Sequence, residues 1–230
     1  MSAVPGPTSF RFTSTARRLG RFSAIWVATL LTAYAMTLAA GLASLESPDD
    51  PVGGAAFTAL EVLIIALVPG MVSLMVAVHA WASHERKPLS LTALAFMTVL
   101  AGITSMVHAV VLTVSRHPAF ANMPALHRTM SFEWPSAAYA LDILAWDVFF
   151  ALSMLFAAPV FSGSRLARSV RLLMIASGVL ALAGLSGVAT GDMRLRNIGI
   201  VGYVPVFLVI VILLAVLFHR TPAVTDRADR

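Results

Sequence analysis

Residues 198–218 read IGIVGYVPVFLVIVILLAVLF, an unbroken apolar run without one charged side chain. At the helical rise such a run covers ~31 Å, the thickness of a bilayer's hydrocarbon core. Arg196 precedes it and Arg220 follows it closely, so its limits are sharp. Runs of the same kind lie upstream at Phe22–Leu45, Ala55–Trp81, Leu89–Val114, Ala137–Phe161 and Leu172–Ala189. Each reaches the roughly 18–25 residues that a membrane-crossing helix needs. The chain therefore reads as an all-α, polytopic membrane protein with a bundle of six transmembrane helices. Residues 1–21 form a basic N-terminal segment, 22–219 the membrane domain, and 220–230 a polar tail.

Composition supports the class. The 230-residue chain is 59% hydrophobic and 12% charged, with mean hydropathy +0.87. A soluble domain carries about twice that charge fraction. The pI near 10.7 does not indicate nucleic acid as a partner, because the basic residues sit at the ends of apolar runs rather than on one face. Cysteine is absent, which excludes disulfides and thiolate metal sites. One lysine against fifteen arginines, with abundant alanine, suggests a GC-rich bacterial genome.

Loop charge sets the orientation. With the N-terminus inside, Arg11, Arg17, Arg18, Arg21, Arg86, Lys87, Arg165, Arg168, Arg171, Arg220, Arg227 and Arg230 are cytoplasmic. Arg116, Arg128, Arg194 and Arg196 are then outside, a ratio of 12 to 4. Both termini are predicted inside, in the cell inner (plasma) membrane. The first apolar run exceeds the core of a signal peptide and reads as an uncleaved helix, the cleaved alternative leaving five.

Most loops are short. The exception runs from Arg116 to Trp134, where Phe120, Met123, Leu126, His127 and Met130 have the spacing of a short interfacial helix. Pro135 is expected to open the fourth span, with Trp134 and Tyr139 in an aromatic belt. No internal repeat relates the two halves. Pro69-Gly70 predicts a kink in span two. Ser177, Ala181, Gly184 and Val188 offer a close contact on span five, within the bundle or to a second copy in a homo-oligomer. Gly199, Gly202 and Pro205 permit close packing of span six. Glu133-Trp134-Pro135 is either a lid or a plain helix start.

Ionisable residues within the spans are costly and mark candidate sites. Five matter: Glu61, His79, His108, Asp142 and Asp147. Glu61, His108 and Asp142 each lie ~10 Å from the outer end of their span, so three helices place an ionisable group at one level. Asp147 falls ~7.5 Å deeper, near the midplane. Thr104, Ser105 and His108 share a face of span three, and Tyr139, Asp142 and Trp146 one of span four. Asp142 and Asp147 are about 140° apart on a regular helix, so they are not a ready-made acid/base pair. His79 and His84 read as interfacial residues beside Glu85, Arg86 and Lys87.

The expected binding candidates are thus Asp142, Asp147, His108 and Glu61, with Thr104, Ser105, Tyr139 and Trp146 lining the pocket. Three roles follow. The first is binding or translocation of a small-molecule solute or protons through an outward-facing pocket in the lipid bilayer. The second is an intramembrane enzyme acting on a lipid or isoprenoid-like substrate by acid-base or metal chemistry, with His108 as base or metal ligand and Asp142 or Asp147 as acid. The third is a structural or partner-binding subunit, the polar cluster then fixing only helix register. No motif for a nucleophilic serine, a phosphate loop, a bis-histidine haem site or a metal site is present, so no cofactor is expected.

Overall fold

A computed structural model of the chain describes residues 12–47, 52–114, 117–118 and 123–222. Arg11, Arg116, Phe120, Arg227 and Arg230, each used in the reading above, lie outside the described residues. Every regular element described is helical, and six helices are long and apolar enough to cross a membrane. They are α1 (Ser14–Ala43), α2 (Gly54–Trp81), α3 (His84–Thr113), α4 (Ala137–Val160), α5 (Arg165–Thr190) and α6 (Met193–Arg220). These six apolar helices are consistent with a multi-pass membrane protein.

Each helix packs on its neighbours in chain order, and α6 closes the ring against α1. Both ends of the described chain therefore meet at one end of the bundle, where Phe12 stacks on Phe218 at 5.6 Å. Gly20 makes that approach possible: a Cβ there would lie 2.7 Å from the Phe218 ring. The ring interior is filled unequally. Towards the termini it is packed with Met71, Leu74, Met97, Met154, Leu214 and Phe218, none more than 1% exposed. The other half holds a cavity. Large apolar side chains point outward all round, Phe22, Met106 and Leu172 among them.

Several helices begin or end where local chemistry dictates rather than where the apolar run does. The first helix starts at Ser14, well before Phe22, because the Thr13 hydroxyl accepts from the Ala16 N–H at 3.1 Å. Arg17, Arg18 and Arg21 thus lie within the helix. At α4 the cap is Ser136, whose hydroxyl accepts from the Tyr139 N–H at 3.0 Å and donates to the Ser131 carbonyl at 2.6 Å. Pro135 precedes that cap instead of opening the helix, correcting the expectation. Ser164 caps α5 in the same way.

The helix in the long connection is short, Pro124–Met130, and bends at Ser131–Pro135 lead from it into α4. Pro69 does not interrupt α2. Its missing N–H leaves a carbonyl of the preceding turn without a helical donor. One residue along, the Trp26 indole of α1 donates to the Ala66 carbonyl at 3.0 Å. Gly70 admits that indole, since a Cβ there would lie 2.6 Å from it. The small residues of α5 face α6 inside the bundle. Ser177 donates to the Gly202 carbonyl at 2.8 Å, and a Cβ on Gly202 would strike the Ser177 carbonyl.

Candidate functional site: a buried ion chain beside an aromatic-walled cavity

Two helices leave α-geometry at the same depth. In α4 residues Leu144–Phe149 are π-helical, and the Phe150 N–H reaches back to the Ala145 carbonyl. In α6 residues Gly202–Val206 are π-helical around Pro205, and the Phe207 N–H reaches the Gly202 carbonyl. Such i→i+5 turns widen the helix and bring residues five apart nearly onto one face. Asp142 and Asp147 gain from this directly. The regular-helix spacing that separates them by about 140° is replaced by an arrangement in which both reach one guanidinium.

That guanidinium belongs to Arg196, in the first turn of α6. Its Nη2 donates to Asp142 Oδ2 at 2.7 Å and its Nε to Asp147 Oδ2 at 3.2 Å. The face of Tyr139 lies 4.7 Å from its central carbon. Arg196 is 7% exposed and Asp147 not at all. The turn leading into α6 is built to deliver this side chain. Gly191 takes φ +77°, a left-handed conformation that suits glycine, and the Asp192 carboxylate accepts from the Arg194 N–H at 3.0 Å. Gly187 then lets α5 pass close, since a Cβ would lie 3.0 Å from the Arg196 nitrogen. Gly184 and Gly199 enclose Asp147 from α5 and α6. A Cβ on Gly184 would come within 2.5 Å of Asp147 Oδ1, and one on Gly199 would collide with the same atom.

The chain of charge continues on the other side of Asp142. Its Oδ1 lies 3.4 Å from His108 Nε2 on α3, without hydrogen-bond geometry. His108 Nδ1 is 2.6 Å from Glu61 Oε2 on α2. Glu61, His108, Asp142, Arg196 and Asp147 therefore form one connected series across α2, α3, α4 and α6. Buried charges are tolerated when paired in this way.

The series borders a cavity of about 300 Å³, the low end for small-molecule pockets. All three tyrosines of the chain, Tyr34, Tyr139 and Tyr203, line it, as do Trp146, Phe57 and Phe132. Glu61, His108, Asp142 and Arg196 supply its charged wall. Phe132, from the bends before α4, packs on His108 at 5.4 Å, Tyr139 at 5.1 Å and Phe57 at 6.3 Å. It is the lid-like residue of this segment, whereas Glu133, Trp134 and Pro135 are exposed. Trp146 packs on Tyr203 at 5.3 Å, and its indole N–H has no partner.

The structure brings together the four ionisable residues singled out in the sequence. It separates the proposed lining residues. Tyr139 and Trp146 border the cavity; Thr104 and Ser105 do not. Thr104 is buried with its hydroxyl unpartnered, and Ser105 is half-buried. Asp147 is also walled off from the cavity, and serves Arg196 instead. Tyr139 faces the cavity and stacks against the Arg196 guanidinium. His79 pairs with Ser90 at 2.8 Å near the termini end, far along α2 from Glu61.

Arg196, Tyr34 and Tyr203 were not anticipated. Arg196 abuts a long apolar run and so reads as a loop charge. The signal for it lies in the neighbouring glycines: Gly187 clears the Arg196 backbone, and Gly184 and Gly199 clear the Asp147 carboxylate that Arg196 holds. Among the described residues no group of three or more His, Asp or Glu is arranged to hold a metal ion. Compared with protein-family models, curated proteins and solved structures, the chain matches none.

Proposed function

We propose that the chain lies in the cell inner (plasma) membrane with both termini in the cytoplasm, and that its cavity binds a small solute or protons from the outside. The single observation behind this reading is the buried ion chain bordering an aromatic-walled cavity. Helix register can be fixed by one interhelical hydrogen bond, worth about 0.6 kcal/mol in a membrane bundle. Five connected charged or ionisable side chains, four of them beside open volume, are far more than register demands. The orientation rests on arginine placement. Arg17, Arg18, Arg21, Arg86, Arg165, Arg168, Arg171 and Arg220 gather at the termini end, while Arg196 is buried and leaves the opposite loops with fewer free charges.

The absence of cysteine makes the test direct. Single cysteines at Tyr34 and Leu38, which line the cavity without joining the ion chain, are exposed to an impermeant thiol reagent in intact spheroplasts. Labelling from outside, with a cysteine at the fully buried Met97 unlabelled, is the expected result. Protection of both cavity positions in folded protein would mean a closed structural network and would end this reading.

A second reading, an intramembrane enzyme acting on a lipid or isoprenoid-like substrate, has one observation in its favour. Glu61 holds the His108 ring by Nδ1, an arrangement that orients a histidine for general-base work. Purified protein incubated with a polyprenyl phosphate or phospholipid, followed by mass spectrometry, tests it. Turnover that disappears in His108→Gln would favour the enzyme, and no turnover would remove it.

A further inference from the structure

The ion chain is short of positive charge. Glu61, Asp142 and Asp147 supply three carboxylates, against Arg196 and, at most, one imidazolium at His108. With the acids ionised the group keeps at least one net negative charge, and each member is 7% exposed or less. An unbalanced charge at such burial is expensive. One more positive charge closes the deficit.

The walls indicate what carries it. Buried polar atoms without hydrogen-bond partners lie on three lining residues, His108 Nε2, Asp142 Oδ1 and Trp146 Nε1, none more than 4% exposed, and of these the Asp142 carboxylate oxygen is an acceptor fitted to an ammonium. Around them the lining is aromatic, and aromatic faces attract cations. The protein already uses one such face, holding the Arg196 guanidinium over Tyr139. Tyr34, Tyr203 and Trp146 offer further aromatic surface, and beyond them the cavity is aliphatic, with Leu31 and Ile64 in its wall. Charge deficit at one wall and apolar surface at the others describe an amphipathic ligand.

We propose that the cavity takes a small organic monocation, an ammonium with a compact apolar or aromatic body, its charge set against the Glu61–His108–Asp142 wall. This rests on the solute-binding reading above and names the ligand class. A neutral or anionic ligand of the same size leaves the deficit open or deepens it.

Three isosteric probes separate charge from shape: benzylammonium, benzyl alcohol and benzoate, titrated into purified full-length protein with tryptophan fluorescence as the readout. Benzylammonium is expected to bind about tenfold or more tighter than benzyl alcohol, one cation–π contact plus one charge pair, with benzoate not binding. Glu61→Gln keeps the shape and the hydrogen bond to His108 but removes the deficit, so benzylammonium should fall to the level of the alcohol. Tyr34→Leu, outside the ion chain, should weaken benzylammonium about threefold to tenfold and the alcohol less. Equal or tighter binding of the alcohol or benzoate overturns the cation assignment while leaving a solute-binding cavity. No binding of any probe, in protein whose Tyr34→Cys variant labels from outside, also overturns it and leaves a proton to close the charge. No binding together with a protected cavity removes the underlying reading as well.

Discussion

Arg86 and Arg196 sit at opposite ends of the bundle and are satisfied in opposite ways. Arg86, half-buried in the first turn of α3, donates to the Pro159 carbonyl at 2.5 Å, the Val160 carbonyl at 3.2 Å and the Ser162 hydroxyl at 2.8 Å. Those carbonyls end α4 and lack helical partners, so a cation there completes a helix terminus with neutral oxygens. Arg196 is buried, held by two carboxylates and an aromatic face. Burying three such charges costs more than their attraction returns unless geometry is excellent, and apolar residues would hold the helices at least as well. The first arginine is explained by architecture alone. The second is explained by the cavity it borders.

The comparison breaks if the two arginines respond alike to removal. Arg196→Leu strands Asp142 and Asp147 in the interior and is expected to cost about 3–5 kcal/mol, read as a large fall in the unfolding midpoint in detergent. A smaller effect comes from crowding the same site without removing charge. Gly199→Ala should cost about 1–3 kcal/mol, because its Cβ meets Asp147 Oδ1. In an Asp147→Ala background most of that penalty should vanish, leaving the milder contact with the Tyr203 ring. Arg86→Leu is expected to be the mildest, about 1 kcal/mol for a cation at a helix C-terminus, and to leave benzylammonium binding unchanged. Midpoints that put Arg86→Leu level with Arg196→Leu would contradict the distinction.

The sequence made part of this site legible and hid part of it, for definite reasons. Six apolar runs are read from length and composition, which depend on no tertiary contact. Glu61, His108 and Asp142 fall at one level by the helical rise alone, and they do meet. The angle between Asp142 and Asp147 fails because it assumes a regular helix. Nothing in Leu144–Phe149 announces a π segment, whereas Pro205 in α6 is a visible cause of one. Thr104 and Ser105 share the helical side of His108, yet of the α3 residues only His108 lines the cavity. The helix start differs from the apolar run where a hydroxyl caps well ahead of it, as at Thr13, whereas Ser136 caps α4 at Ala137, where its run begins. Gly184 and Gly199 were legible as a close contact, but not the carboxylate between them.

The central claim is that Asp142 and Asp147 exist in the interior because Arg196 joins them. The measurement that tests it most directly is thermal unfolding of Arg196→Leu beside the triple variant Asp142→Asn, Asp147→Asn, Arg196→Leu, in the same detergent. Neutral side chains of similar shape remove the stranded charge, so the triple variant should recover most of the midpoint lost by the single one. A triple variant no more stable than Arg196→Leu would show that the three residues are not one network.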